Sequence, residues 1–259
     1  MTSTFQSQWL GRKVAFLGDS ITDAVHVGTT RNYWQFLQES LGIEPLVYGI
    51  NGHTWCGVFQ QAEKLYAEHP GDLDAIIVFA GTNDFCIGTP LGDWYDYDAQ
   101  EVNYHGKVSV RPRRLFNTDD STFRGRINRV MQFLKTRFPA QQIILLTMIH
   151  RGFAEFGGDN IQPEESFPND CGLYVDSYVD VIKEAGNVWA VPVIDLNALS
   201  GLFPTAAVYG KYFHNADNDR LHPAIGGHCR MAQALHYQLL ALPSNFSEAS
   251  QLADGGSEQ

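Results

Sequence analysis

Val14-Ala15-Phe16-Leu17-Gly18-Asp19-Ser20-Ile21-Thr22 decides the fold. Four consecutive apolar residues read as a strand covered on both faces, the habit of parallel sheets. The small polar residues that follow suit a strand-to-helix turn. The same kind of run recurs at Leu46-Val47-Tyr48, Ala75 through Ala80, Ile143-Ile144-Leu145-Leu146 and Val191-Pro192-Val193-Ile194. Helix-period stripes fit between them. Phe123, Ile127, Val130, Leu134 and Phe138 recur every three or four residues before Pro139, and Ile225, Cys229, Ala232, Leu235 and Leu239 repeat the pattern. Tyr174, Tyr178 and Ile182 form a third stripe, with Gly186 predicted as its C-cap.

Strand alternating with helix predicts an α/β fold, a three-layer α/β/α arrangement around a central five-stranded parallel sheet. Pro45 opens the second strand and Pro192 lies in the last. Proline cannot donate to a ladder, so both strands belong at edges. A flavodoxin-like order 2-1-3-4-5 satisfies that. Residues 1–243 read as one domain, with a long insert over about 85–120 and a second long connection over Gly152–Asn169. Residues 244–259 are polar and read as a disordered tail.

The 259 residues carry 18 Lys plus Arg against 29 Asp plus Glu, a net charge of −11. That balance argues against a nucleic-acid binder, which needs a basic face. No apolar run approaches the roughly 20 residues of a membrane helix. Met1–Leu10 lacks a secretory profile, so the expected location is cytoplasmic unless a leader was removed. Cys56, Cys86, Cys171 and Cys229 form no CxxC pair and read as free, mostly buried thiols.

A small polar turn follows each of the first three strands: Gly18–Thr22, Gly49-Ile50-Asn51-Gly52-His53-Thr54, and Gly81-Thr82-Asn83-Asp84. The carboxyl ends of parallel strands are where ligands bind in open α/β sheets. Far downstream, Asp219-Arg220-Leu221-His222-Pro223 precedes the last helix. A serine hydroxyl is a weak nucleophile and needs a base. His222 suits that role, and Asp219, three residues earlier, can bond Nδ1–H and leave Nε2 for Ser20. Pro223 biases His222 to an extended conformation, on a loop at the helix entrance. The backbone N–H groups of Ser20 and Gly52 and the amide of Asn83 supply oxyanion donors, each worth about 3–4 kcal/mol in a transition state.

GDSIT around Ser20, GINGHT around Gly52, GTND around Asn83 and DRLHP around His222 together resemble the SGNH (GDSL-type) hydrolase superfamily. The four motifs span nearly the whole domain in family order. The resemblance implies an esterase or acylhydrolase, with Ser20 the nucleophile, Asp219 and His222 completing the triad, and Gly52 and Asn83 in the oxyanion hole. His105, His150, His214, His228 and His236 form no HExxH or other tight ligand set, so no metal and no cofactor is expected. His53 stands where the family often has an acidic residue, and the 85–120 insert exceeds that of compact members.

Each residue also has a plainer reading. Ser20 is a natural helix N-cap, Asn83 and Asp84 are turn formers, and Asp217 competes with Asp219. His53, Trp55 and Trp94 are candidate substrate contacts, the last two equally suited to core packing. Arg111-Pro112-Arg113-Arg114 is either an anion site or a solvated ion-pair partner. The favoured reading is a serine esterase acting on short acyl (acetyl) groups of a polar or carbohydrate alcohol, with a small-molecule or carbohydrate ester as partner. Its rivals are a binding protein with an idle triad and a metal-dependent phosphoesterase built on Asp19, Asp84 and His222.

Overall fold

The computed structural model describes residues 7–242, so the tail at 244–259 lies outside the described residues. The chain runs β1 (Lys13–Gly18), α1 (Tyr33–Leu41), β2 (Glu44–Val47), α2 (Trp55–Glu68), β3 (Ala75–Phe79), α3 (Thr82–Cys86), β4 (Tyr95–Tyr104) and β5 (Lys107–Phe116). It continues through α4 (Phe123–Arg137), β6 (Gln142–Leu146), β7 (Ala154–Glu155), β8 (Ile161–Gln162), α5 (Val175–Trp189), β9 (Val193–Ile194), α6 (Leu196–Leu199), β10 (Phe213–Asn215), β11 (Asp219–Pro223) and α7 (Ile225–Ala241).

The central sheet is five-stranded and wholly parallel, in the order β2-β1-β3-β6-β9. This is the expected 2-1-3-4-5 arrangement, with β2, which carries Pro45, and β9, which Pro192 precedes rather than joins, at its edges. Alternation along β1 builds both cores. Ala15 and Leu17 point into a cluster with α2, α4 and α5, while Val14 and Phe16 join α1 and α7 on the opposite face. The inner strands β1, β3 and β6 are therefore apolar along nearly their whole length because neither face is solvated, whereas β2 at the edge is only half-buried.

The helix ends show local chemistry. Asn32 and Gln35 form a capping box at α1, and Gly42 ends that helix at φ 73°. Thr122 accepts the N–H of Gly125 to start α4. Gly186 departs from expectation: α5 runs on to Trp189 and ends at Ala190, which takes φ 51°. Gly186 instead lets the last strand approach, because a Cβ there would lie 2.6 Å from Val193 Cγ2. The N–H of Val191 bonds Gly186 O, so Val191 belongs to the helix end and the strand begins at Val193, after Pro192. Tyr174 is the exposed N-cap of α5 rather than part of its buried stripe.

Neither long connection is structureless. Residues 95–116 form an antiparallel ribbon of β4 and β5, turned at His105 and Gly106 with φ 54° and 77°. Two successive left-handed residues make the tight turn whose twist suits a hairpin. Within 152–169, β7 and β8 pair, and β7 joins β11 in a small sheet ordered β10-β11-β7-β8. His222 therefore sits in a short strand, not on a loop. The four cysteines are free, but Cys171 is exposed and the other three are only partly buried.

Candidate active site

The three turns and β11 meet at the carboxyl edge of the sheet. Ser20 follows β1 directly. Its turn is closed by the N–H groups of Thr22 and Asp23 on Asp19 O, and by Ile21 N–H on the Asp19 carboxylate. Ser20 Oγ lies 2.9 Å from His222 Nε2. His222 Nδ1 lies 3.0 Å from Asp219 Oδ2 and 3.2 Å from Oδ1. Ser20, His222 and Asp219 are 4%, 5% and 3% exposed, so this chain of hydrogen bonds is shielded from water. Low local dielectric strengthens it.

Asp219 is fixed within its own strand. Its Oδ1 accepts the N–H groups of Leu221 and His222, so the three-residue spacing is locked by backbone. Oδ2 also meets His214 Nδ1 at 2.9 Å, which places a second imidazole on the same carboxylate. Burial pushes the Asp219 carboxyl up, but the bonds and charge of His222, with His214, overcome this and hold it below the usual carboxylate range. An ionised carboxylate fixes the imidazole with Nδ1 protonated and Nε2 turned to the serine. Asp217 has no such position; its N–H is held by Asn215 in the turn before β11.

Gly52 takes φ 78°, and a Cβ there would meet nothing within 4 Å. The glycine answers to backbone conformation and leaves that side of the turn open. Asn83 lies in the first turn of α3, where its Nδ2 donates to His53 O at 2.9 Å. The amide is thereby held against the Gly52 turn. Asp84 is wholly buried, accepting Trp55 N–H and pairing with Arg126 at 2.8 Å. Burial raises the Asp84 carboxyl to about 6, with Arg126 opposing the rise. Asp84 thus ties the start of α2 to α3 and α4, a structural use.

Sequence reasoning missed four residues that hold these turns together. Gln61 of α2 bonds both the N–H and the C=O of Gly18, and reaches His53 Nδ1 at 3.0 Å. Asp23 accepts Asn51 N–H at 2.7 Å, joining the first turn to the second. Arg151, 2% exposed, donates to Thr82 O and Oγ1 and to Gln162, clamping the third turn to β8. Phe156, beyond β7, sets its ring 5.3 Å from that of His222. A helix-borne Gln or a loop Arg carries no local signal of its partner, so only an assembled fold exposes these roles.

The weaker substrate candidates separate. Trp55 is 1% exposed and lies in the core beside α4, so it is not open to a ligand and the expectation of a contact is withdrawn. Trp94 is committed to Glu184 at 2.9 Å and to the Arg124 guanidinium. His53 borders the site through its carbonyl, while its ring packs on Gly57 and Gln61. Among the described residues, no group of three or more His, Cys, Asp or Glu is placed to hold a metal ion. No helix among them is long and apolar enough to cross a membrane.

The profile of the GDSL-like Lipase/Acylhydrolase family matches residues 16–229. The chain belongs to that family. Members are hydrolases, and this chain is one of them. This GDSL-like hydrolase shares its fold with a crystal structure from Lactobacillus plantarum at 26% identity and TM-score 0.67, covering 89% of this chain and 97% of that one. A possible lipase from Chitinophaga pinensis matches at 20% identity and TM-score 0.64, over 90% of this chain and 100% of that one. A catalytic mutant of an acetylxylan esterase from Geobacillus stearothermophilus matches at 18% identity and TM-score 0.55, over 92% and 98%. No curated protein matches the chain.

Proposed function

We propose that this hydrolase is a serine esterase that removes short acyl groups, acetyl foremost, from a polar or carbohydrate alcohol. The observation that carries the reading is the continuous buried run Ser20–His222–Asp219, with links of 2.9 and 3.0 Å.

Ser20 Oγ attacks the ester carbonyl while His222 Nε2 takes its proton. Asp219 stabilises the imidazolium without itself being protonated. The developing oxyanion is met by the N–H groups of Ser20 and Gly52 and by Asn83 Nδ2, which exchanges its bond to His53 O for one to substrate. His222 then protonates the departing alcohol. A water, deprotonated by His222, releases the acid and restores Ser20. The acyl group is placed beside the Phe156 ring, which lies 5.3 Å from that of His222. The acetylxylan esterase among the structural neighbours is consistent with acetyl as the group removed.

The test is hydrolysis of p-nitrophenyl acetate, butyrate and octanoate by the wild type and Ser20→Ala, with fluorophosphonate labelling of the serine. The expected order is acetate first, with kcat falling about 10³-fold or more in the variant. Full activity or full labelling in Ser20→Ala overturns the mechanism. Octanoate as the best substrate overturns the short-acyl assignment alone.

A further inference from the structure

The buried carboxylate of Asp219 serves two histidines, and only one of them reaches the serine. Oδ1 accepts the backbone N–H groups of Leu221 and His222. Oδ2, the oxygen nearer to His222 Nδ1, also lies 2.9 Å from His214 Nδ1. A carboxylate oxygen can only accept, so the His214 nitrogen donates. Two backbone and two imidazole donors match the roughly four lone-pair sites of an ionised carboxylate. Asp219 is buried, so a lone pair left without a donor there is costly.

His214 is brought to this carboxylate by an irregular ladder. β10 pairs with β11 at Phe213–Pro223 and at Asn215–Asp219, so His214 alone stands against Arg220, Leu221 and His222. Extra residues on one strand bend it and re-aim its side chains. Gly28, at φ 71°, packs against both histidines. A Cβ there would lie 2.8 Å from His222 Cβ and 2.9 Å from His214 Cβ. The two histidines thus share a neighbour as well as a carboxylate.

We propose that His214 is a positioning residue of the triad, whose Nδ1–H holds Asp219 Oδ2 against His222 Nδ1 and favours the ionised carboxylate while His222 carries the serine proton. The inference rests on the triad mechanism proposed above. Burial pushes the Asp219 carboxyl up, and the His214 bond is one of those that bring it below the usual carboxylate range. Asp219 is needed most when the imidazolium forms, so the contribution of His214 belongs to kcat rather than to KM.

Three variants separate this hydrogen bond from packing. His214 is exposed, so the fold tolerates exchange there. His214→Phe keeps a planar ring against Gly28 and removes the donor. His214→Asn gives up the ring and keeps an amide N–H at the reach of Nδ1. His214→Ala removes both. The readouts are p-nitrophenyl acetate kinetics and the rate of fluorophosphonate labelling of Ser20, with circular dichroism reporting the fold. In His214→Phe and His214→Ala, kcat and labelling rate are expected to fall about ten-fold or more, with KM within about two-fold of wild type. His214→Asn is expected to stay within about three-fold of wild type. Adding His214→Phe to Asp219→Ala changes kcat by less than about two-fold, because the carboxylate it acts through is gone. Wild-type kcat in His214→Ala, equal losses in His214→Ala and His214→Asn, or a full further loss in the Asp219→Ala background overturns the proposal and leaves the triad standing. Full activity in Ser20→Ala overturns the triad, and this inference with it.

Discussion

The active-site edge and the β4–β5 ribbon are held by opposite means. Ser20 and His222 are 202 residues apart in sequence, and their side chains meet because many buried bonds fix the turns that carry them. Gln61, Asp23, Asp84 and Arg151 each join two of those segments. The ribbon is held by a ladder between neighbours in sequence, and it grips the body only at its root. There the Asn128 amide donates to Trp94 O and Asn117 O while its carbonyl accepts Trp189 Nε1. A site needing sub-ångström placement is over-determined, whereas a surface arm is not.

The sharpest way to break this contrast is Arg126→Met. It strands the wholly buried Asp84 carboxylate and loosens the link between the second and third turns. Loss of one partner from a buried pair costs about 3–5 kcal/mol, read by urea unfolding at neutral pH. Asp84 already titrates upward, at about 6, so its ionised form is disfavoured in the fold. The folded chain then holds a proton that the unfolded chain releases near pH 4, and stability from this group falls as pH rises from about 4 to 6. Without Arg126 the rise in the Asp84 carboxyl is opposed only by backbone N–H groups such as that of Trp55, so the variant's deficit shrinks on acidification.

A smaller effect separates two buried groups near the site. Burial pushes the Asp19 carboxyl to about 7, despite the Ile21 N–H and the charge of His222. Its contribution therefore falls as pH rises between about 4 and 7. Burial drives His228 the other way, to about 3, while its Nδ1 accepts Tyr33 N–H. The unfolded chain protonates this histidine near 6.5 and the folded chain does not, so its contribution is lost as pH falls from about 6.5 to 3. Asp19→Asn is expected to gain stability relative to wild type between pH 5 and pH 7. Denaturant unfolding at the two values checks the sign, and an unchanged difference shows that Asp19 does not titrate there.

The smallest expected effect belongs to the ribbon. Arg113→Ala removes a solvated bond to Gln100 and changes unfolding free energy by less than about 0.5 kcal/mol. Esterase activity is expected to stay at the wild-type level. A loss of activity would show that the ribbon is coupled to the site, and the contrast between the two regions would fail.

The features legible in the sequence are those whose cause is local. The continuous apolar runs mark both-face burial, and Pro45 and Pro192 assign the second and last strands to edges, as the 2-1-3-4-5 order has them. The small polar turns mark strand ends, and Asp219 and His222 are near enough in sequence for their pairing to be read from spacing. Where a residue type has several local uses, the reading fails. Gly186 suits a C-cap and a close approach equally, and only the position of Val193 shows which is in force. Trp55 suits a ligand or a core, and α4 decides it. The ribbon was hidden because His105-Gly106 is a less common turn pair than Asn-Gly.

The sequence by itself therefore determined the α/β layering, which strands lie at the edges and the set of polar turns along one edge of the sheet, because burial pattern and turn chemistry act over a few residues. Tertiary structure alone decided that Ser20 reaches His222, that Gln61, Asp23 and Arg151 brace the turns, and that the ribbon joins the body at its root through Phe116 and Trp189. Those outcomes depend on what arrives across a gap from distant chain, and a buried hydrogen bond acquires its strength only when both partners have already been placed and water has been excluded.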